Sequence, residues 1–246
     1  MNLTVDIGNS LLKWAQGEPP GWSVQSAATA GHDPGDLFAI LWSNLPAPTR
    51  LLVSCVARTE WSETLRHWAR ERWSREVEFV HSSAAACGVR NGYRDPSQLG
   101  VDRWAALIAA HRLVSGPVIV IDAGTAVTID ALSADGEFLG GVILAGLELQ
   151  RAGLRRGTAG IGATGESAAG CLARDTDAAV SAGIRYGLAG GIERILGEQT
   201  RALGTSPAVL ITGGDAERLL PLLPAGVRHA PDLVLLGVHA LGAATC

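Results

Sequence analysis

A short segment of distinctive pattern occurs twice in this chain of 246 residues, and it limits the possible folds more than any other feature. The first copy, residues 3–14, has apolar β-formers, then Asp6, a glycine turn and a second β-rich stretch. The second copy, residues 117–130, has the same order around Asp122. Each copy predicts two antiparallel strands joined by a tight turn. Because the two aspartates lie nearly half the chain apart, the pattern predicts an internal duplication.

The duplication predicts an α/β fold of two similar domains, residues 1–115 and 116–246, that face each other across a cleft. A third glycine turn comes late in the chain, where an apolar β-rich stretch at 208–212 leads through Gly213 and Gly214 into a helical segment. The sugar or base of a nucleotide often lies against a turn of this strand–glycine–helix type.

Composition excludes several classes of protein. With 47% hydrophobic residues, the chain can fill a core and is not disordered, and its net charge of −4 disfavours a nucleic-acid partner. The longest weakly polar stretch, residues 233–244, is too short to span a bilayer, and the N-terminus has no signal-peptide pattern. We therefore expect a cytoplasmic protein that binds neither nucleic acid nor a membrane.

The aspartate at the end of each predicted strand suggests a bound cation. A turn glycine lets backbone N–H groups approach a phosphate, whereas a carboxylate repels phosphate unless a cation lies between them. Lys13, the only lysine of the chain, follows Asp6 on the returning strand, where a compact ammonium suits a phosphate oxygen. The alternative is an ordinary turn aspartate, but two copies at matching places favour a phosphate site.

The segment around Asp102 contains the candidate general base. Turn residues dominate up to Gly100, and apolar residues then recur at helical spacing: Trp104, Leu107, Ile108 and Leu113. This places Asp102 in the first turn of a helix, where its carboxylate could accept a hydroxyl proton during phosphoryl transfer. Arg103 could bind an anionic substrate, and Tyr93 could add a hydroxyl contact. The alternative is that Asp102 only caps the helix.

At these residues the chain resembles the type III pantothenate kinases, a family of the actin/Hsp70/sugar-kinase superfamily. The resemblance rests on five segments: Asp6–Ser10 with Lys13, Gly100–Arg103, Asp122–Ala126, Gly140–Gly141 with Gly146, and Asp175–Thr176 before a glycine-bearing helix. It implies two ribonuclease-H-like domains that face a cleft. It also implies ATP-dependent phosphorylation of pantothenate to 4'-phosphopantothenate, the first step of coenzyme A biosynthesis.

The resemblance implies a role for each matched residue. ATP would contact the first turn and a threonine of the second: Asp6, Ile7, Gly8, Asn9, Ser10, Leu11, Leu12, Lys13 and Thr125. Asp6 would lie on the magnesium side of the phosphates, and Asp122 would hold a monovalent cation, potassium or ammonium. Asp102 would be the catalytic base. The pantothenate site would include Tyr93, Gly100, Val101, Asp102, Arg103 and Thr176.

The family resemblance also implies a homodimer, in which Thr176 would reach substrate from the partner subunit. On its own, Thr176 is typical of a helix N-cap. The chain has Ala145 where the family usually has a proline, and this change loosens a turn but removes no reacting group.

Two other functions stay open at this point, a catalytically weak regulatory relative of the same fold and a kinase for another small hydroxyl acceptor. A degenerate relative is expected to lack at least one of the four polar groups Asp6, Lys13, Asp102 and Asp122. All four are present here, which favours the pantothenate kinase.

Overall fold

The computed structural model describes residues 1–162, 165 and 170–243. Its contacts divide the chain into two units. The first comprises Met1–Ser115, Asp135–Leu139 and the C-terminal segment from Asp232, and the second comprises Gly116–Ala134 and Gly140–Pro231. Two segments from the second half of the sequence therefore pack with the first unit. The sequence had predicted one boundary, between residues 115 and 116.

The first unit contains a five-stranded sheet of order β3-β2-β1-β4-β5. Strands β1 (Leu3–Ile7), β2 (Leu11–Gln16) and β3 (Ser23–Ala28) are antiparallel neighbours. Strands β4 (Leu51–Cys55) and β5 (Glu78–Phe79) run parallel to β1. The first predicted strand pair is thus confirmed, and the parallel strands put the end of β4 beside Asp6. A two-stranded ribbon of β6 (Ala85–Ala86) and β7 (Val89–Arg90) follows.

Helices α1 (Pro34–Trp42) and α2 (Thr59–Trp73) pack on one face of this sheet and form an aromatic core. Phe38 stacks on Trp42 with ring centroids 5.2 Å apart, and Trp68 meets Trp73 edge-on at 4.6 Å. Val5 and other apolar residues of β1 point into this cluster. Because side chains alternate along a strand, Asp6 belongs to the opposite face.

The opposite face packs against α3 (Val101–Leu113) and α7 (Leu233–Ala243), which also pack on each other. Their axes come close at Gly237, where any Cβ would overlap the carbonyl oxygen of Ala105. This contact explains why the last helix belongs to the first unit. It also holds the beginning of α3, and with it Asp102, on the same face as Asp6.

The second unit repeats the first. Its sheet has the order β10-β9-β8-β11-β12, formed by β8 (Val118–Ala123), β9 (Ala126–Leu132), β10 (Phe138–Ala145), β11 (Ala208–Thr212) and β12 (Val227–His229). The pairing directions are again antiparallel between β8 and β9 and parallel along β8, β11 and β12. The predicted duplication and both predicted hairpins are therefore confirmed.

The helices of the second unit are α4 (Leu147–Gly157), α5 (Thr176–Leu203) and the short α6 (Ala216–Leu219). The core between α5 and the sheet is aliphatic, with Ile129, Ile184 and Ile192 among its buried members. Within the part of the chain that the structure describes, none of the helices combines the length and the apolar character needed to cross a membrane.

Candidate active site

Asp6 lies in the middle of a row of polar side chains that crosses three strands of the first sheet. In the strand register, Asp6 is paired with Lys13 on β2 and with Ser54 on β4. Residues paired in this way place their side chains on the same face of the sheet. The hydroxyl of Ser54 donates a hydrogen bond of 2.5 Å to Oδ1 of Asp6.

Burial of its carboxyl group raises the pKa of Asp6 from its usual 3.8 to about 7. The hydrogen bond from Ser54 opposes this effect, the charge of Asp102 adds to it, and the charge of Lys13 opposes it. The structure therefore brings together three residues that the sequence had singled out: Asp6, Lys13 and Asp102. A carboxyl group that titrates near neutral pH is typical of a functional site.

Asp102 is the second residue of α3, as the predicted helix start requires. The N-cap is Gly100, so the alternative in which Asp102 caps the helix is wrong. The Asp102 carboxylate folds back over the helix start, where its Oδ1 accepts a 2.7 Å hydrogen bond from the backbone N–H of Arg103. A Cβ at position 100 would lie only 2.6 Å from that oxygen. Gly100 thus leaves the space in which the carboxylate lies.

Arg103 is 95% shielded from solvent and lies beside a pair of aromatic rings. Its Nη1 donates a 2.8 Å hydrogen bond to the hydroxyl of Tyr93. Its guanidinium carbon lies 5.6 Å from the centroid of the Tyr93 ring and 5.9 Å from that of Phe138. The two rings stack on each other at 5.7 Å. This arrangement fixes a planar cation one residue from Asp102, and such a group suits a carboxylate.

In the first glycine turn, the backbone N–H of Gly8 does not point to a phosphate site as expected. The N–H of Gly8 donates to the carbonyl of Leu11 at 2.9 Å, so it is used within the turn. Asn9 and Ser10 are exposed at the tip. The side chains of Ile7 and Leu12 are fully buried in the aromatic core. Those two predicted ATP-binding residues can therefore approach a phosphate through their backbone only.

In the second unit, Asp122 occupies the position on β8 that corresponds to Asp6 on β1. It is paired with Thr128 on β9 and with Thr212 on β11. Gly213, with φ of +96°, lies directly over it, since a Cβ there would be 2.5 Å from Oδ1 of Asp122. The same Cβ would overlap the carbonyl oxygen of Ala123. Glycine is thus required for the β11–α6 turn to approach Asp122 this closely.

Thr125 lies in the turn between β8 and β9. Its carbonyl oxygen accepts a 3.0 Å hydrogen bond from the N–H of Gly146, which is the N-cap of α4. A Cβ at Gly146 would overlap the carbonyl of Gly124. The residue before this glycine is Ala145, whose own carbonyl accepts a 2.8 Å hydrogen bond from the Gln150 side chain. This bond also fixes the turn at which the family usually has a proline.

Thr176 is the first residue of α5 and is exposed. The N-cap is Asp175, whose side chain accepts from the N–H of Ala178 at 2.8 Å, so the N-cap expectation for Thr176 is wrong. Thr176 instead borders an open groove of about 740 Å³ between α4 and α5. The apolar residues of this groove include Leu154, Ile161, Val180 and Ile184.

Two residues of the site were missed by sequence reasoning. Ser54 had a weak signal, because it is a hydroxyl within the apolar strand Leu51–Cys55. Phe138 had none, because its position beside Tyr93 depends on a contact between distant parts of the chain.

The two aspartates fit the cations that the resemblance implies. Among the described residues, no three His, Cys, Asp or Glu side chains cluster as a metal site. Magnesium at a nucleotide usually keeps several waters and needs only one or two carboxylates besides the phosphates. Asp6 and Asp122 each supply a hard oxygen donor of this kind.

The shared topology of the two units indicates the class of protein to which the chain belongs. Two α/β units of ribonuclease-H-like topology, each with an aspartate at the end of its first strand, are the architecture of the actin/Hsp70/sugar-kinase superfamily. A solved structure from Campylobacter jejuni, proposed to be a Baf family transcriptional activator, is similar at TM-score 0.58 and 20% identity, over 97% of this chain and 96% of that one. A Sinorhizobium meliloti structure, proposed to be a 2-dehydro-3-deoxygalactonokinase, has TM-score 0.58 at 17% identity, over 98% of each chain.

The family follows from sequence. The model of the family described as type III pantothenate kinase matches residues 2–198. A type III pantothenate kinase of Alkalilimnicola ehrlichii is 42% identical over 241 residues, which cover 97% of this chain and 96% of the relative. The chain belongs to the type III pantothenate kinase family.

Proposed function

We propose that this protein transfers the γ-phosphoryl group of ATP to the primary hydroxyl of pantothenate and releases 4'-phosphopantothenate and ADP. The observation that carries the proposal is the first unit's own site. There, Asp102 lies at a helix start, its charge acts on Asp6, and the next residue is the buried Arg103. Family membership supports the substrate, and these groups supply the chemistry that the reaction needs.

Asp102 is proposed as the general base. The hydroxyl oxygen of pantothenate forms a bond to the γ-phosphorus, the bond from that phosphorus to the β,γ-bridging oxygen breaks, and the hydroxyl proton passes to the Asp102 carboxylate. Phosphoryl transfer of this kind depends mainly on positioning and on stabilisation of charge. The Arg103 N–H holds the Asp102 carboxylate by a hydrogen bond, and Gly100 leaves room for it because glycine has no side chain.

Arg103 and Tyr93 are proposed to bind the pantothenate carboxylate. The guanidinium is held by the Tyr93 hydroxyl and by the ring of Phe138, so its orientation is set before substrate arrives. Binding energy at this remote carboxylate can hold the reacting hydroxyl in place. Gly100 and Val101 would line the same pocket at the start of α3.

The phosphates of ATP are proposed to lie against residues 6–13 and Thr125. Lys13 would bind a phosphate oxygen, Asp6 would hold hydrated magnesium, and Asp122 would hold potassium or ammonium. When bound, these cations offset the negative charge of the phosphates. The exposed turn at Asn9 and Ser10 and the carboxylate under Gly213 support these roles.

A homodimer is part of the proposal. The apolar groove between α4 and α5 supports it, because Leu154 on its rim keeps 38% of its surface exposed. Thr176 borders this groove and would then contact substrate bound by the partner subunit. Sedimentation at two protein concentrations tests this part separately.

The decisive experiment is a coupled assay of ADP release with ATP and magnesium. It is run with and without pantothenate, first in potassium and then in sodium. We expect turnover that requires pantothenate and is faster in potassium. Turnover with other hydroxyl acceptors, and none with pantothenate, would assign a different kinase. ATP binding without any turnover would indicate a regulatory relative.

A further inference from the structure

Ser54 is a buried hydroxyl that the roles proposed above do not use. It has no exposed surface and follows three apolar residues of β4. A buried hydroxyl needs a hydrogen-bond partner to offset the loss of water. Its partner is Oδ1 of Asp6, 2.5 Å away. The Ser54 hydroxyl therefore donates its hydrogen bond to the Asp6 carboxylate, which the proposed function places on the magnesium side of ATP.

The strand register explains why the contact is so well placed. Lys13 and Ser54 flank Asp6 from the two neighbouring strands. An ammonium group acts as a point charge and imposes little direction. A hydroxyl donor is directional, and it specifies one carboxylate oxygen. Because the terminal torsion of an aspartate is soft, such a donor is the kind of contact that sets the plane of the carboxylate.

The matched position of the second unit shows that this bond does not follow from the fold alone. Thr212 is paired with Asp122 as Ser54 is paired with Asp6. Thr212 is also buried, but its hydroxyl donates to the backbone carbonyl of Pro231 at 3.3 Å. A hydroxyl side chain thus occurs at both positions, and the two hydroxyls have different partners.

We propose that Ser54 is a positioning residue that fixes the Asp6 carboxylate through Oδ1 and so leaves Oδ2 available for the hydrated magnesium of MgATP. This inference rests on the proposed function, since it assigns Asp6 to the magnesium side. Contacts that orient a metal-binding group typically change metal affinity or activity by about 10–100-fold when they are removed.

The test compares ATP binding in magnesium with ATP binding in EDTA, by titration calorimetry, for the wild type and three variants. In Ser54→Ala we expect the magnesium-dependent gain in ATP affinity to fall by about 10-fold. Ser54→Thr keeps the hydroxyl, and Thr212 shows that the matched position accepts threonine, so this variant should retain the gain. Ser26→Ala is the control. Ser26 is exposed and is paired with Lys13 from β3, the neighbouring strand on the side away from Asp6.

Kinetics give a second readout. In Ser54→Ala the magnesium concentration for half-maximal rate should rise about 10-fold, while the KM for pantothenate stays within about two-fold of the wild type. Binding of ATP that weakens equally in magnesium and in EDTA would show a purely structural role and overturn the proposal. Wild-type magnesium dependence in Ser54→Ala would also overturn it.

Two further outcomes can be told apart: a Ser54→Ala variant that does not fold, and a wild type that does not phosphorylate pantothenate. If Ser54→Ala does not fold, as judged by circular dichroism, Ser54→Cys decides, because it keeps the shape of the side chain with a somewhat larger sulfur atom and replaces a strong donor with a weak one. Wild-type magnesium dependence in a folded Ser54→Cys would overturn the proposal. If the wild type binds MgATP but does not phosphorylate pantothenate, the proposed function fails. The magnesium-dependent binding of the Ser54 variants still decides the role of Ser54.

Discussion

The two sheets share one strand order, but the surroundings of their matched aspartates differ in kind. Asp6 is flanked by side chains: Lys13 and Ser54 on neighbouring strands, and Asp102 within electrostatic range. Asp122 lies under a glycine turn, where Gly213 brings backbone as close as any residue allows. A duplicated sheet can thus keep its topology while the groups around the matched aspartate change. Charged and hydroxyl side chains flank Asp6, whereas threonines and a close backbone turn surround Asp122.

The two cores differ as well. All seven tryptophans of the chain lie in residues 14–104, within the first unit. The core of the second unit is built from Ile, Leu, Val and Ala side chains. Tryptophan fluorescence therefore reports unfolding of the first unit, whereas far-UV circular dichroism reports both. Each half of the comparison can be measured separately.

The largest expected effect concerns Asp102, the proposed general base in the first unit. Asp102→Asn should lower kcat by about 10²–10⁴-fold, because it removes the group that accepts the hydroxyl proton. ATP affinity should change little. The control is Asp36→Asn, which changes an exposed acidic residue in the first turn of α1. A kcat for Asp102→Asn within about two-fold of wild type would contradict the role of a general base.

The second prediction tests the close backbone approach in the second unit. Gly213→Ala should destabilise that unit by about 3 kcal/mol, because the added Cβ meets Ala123 and Asp122 at a φ that disfavours alanine. Urea unfolding followed by circular dichroism measures the change. In Gly190→Ala, within the described part of the chain, no atom outside α5's own backbone lies within 4 Å of the new Cβ, so this variant should be neutral or stabilising. Equal stabilities for the two variants would contradict the packing argument.

The third prediction concerns pH and the first unit. The pKa of Asp6 is about 7 in the folded protein and 3.8 in an ordinary carboxyl. Folding therefore favours the protonated form, and stability is lost as the pH rises towards and through 7. Asp6→Asn should raise the free energy of unfolding of the ligand-free protein by about 2 kcal/mol at pH 8. The gain should shrink towards pH 4.

Urea unfolding followed by tryptophan fluorescence at several pH values measures this gain. The same variant should lose magnesium-dependent ATP affinity, since it lacks the charge for the cation. A gain in stability that is equal at pH 5 and pH 8 would show that the carboxyl group is not the cause.

The smallest expected effect concerns the monovalent cation. Asp122→Asn should lower the rate in potassium by about 10-fold and leave little difference between potassium and sodium. The reason is that the proposed cation ligand loses its charge while its shape is kept. Rates measured in each salt at constant ionic strength test this expectation. Persistent stimulation by potassium in the variant would move the cation site elsewhere.

Local features of the fold could be predicted from sequence because their signals are local. The alternation around Asp6 and Asp122 and the glycines after them specify strands and turns over a few residues. The helical spacing after Gly100 placed Asp102 correctly in the first turn of a helix. The alternative that Asp102 is an N-cap and the N-cap expectation for Thr176 were wrong by two residues and one residue, since Gly100 and Asp175 at nearby positions serve as the caps.

The partners of the site residues could not be predicted, because they depend on contacts between distant segments. Ser54 meets Asp6 only because β1 and β4 are parallel neighbours in a particular register. Phe138 reaches Tyr93 from a short segment of the second half that packs with the first unit. No pattern in the sequence around Phe138 encodes that route.

The packing of α7 sets an order on the synthesis of the molecule. Residues 233–243 complete the face of the first sheet that carries Asp6, through contacts of α7 with α3 and β1. The first unit therefore cannot finish folding as it leaves the ribosome. That face is covered only in part, by α3, until the second unit has been translated. A nascent chain arrested before residue 233 should consequently carry a more complete second unit than first.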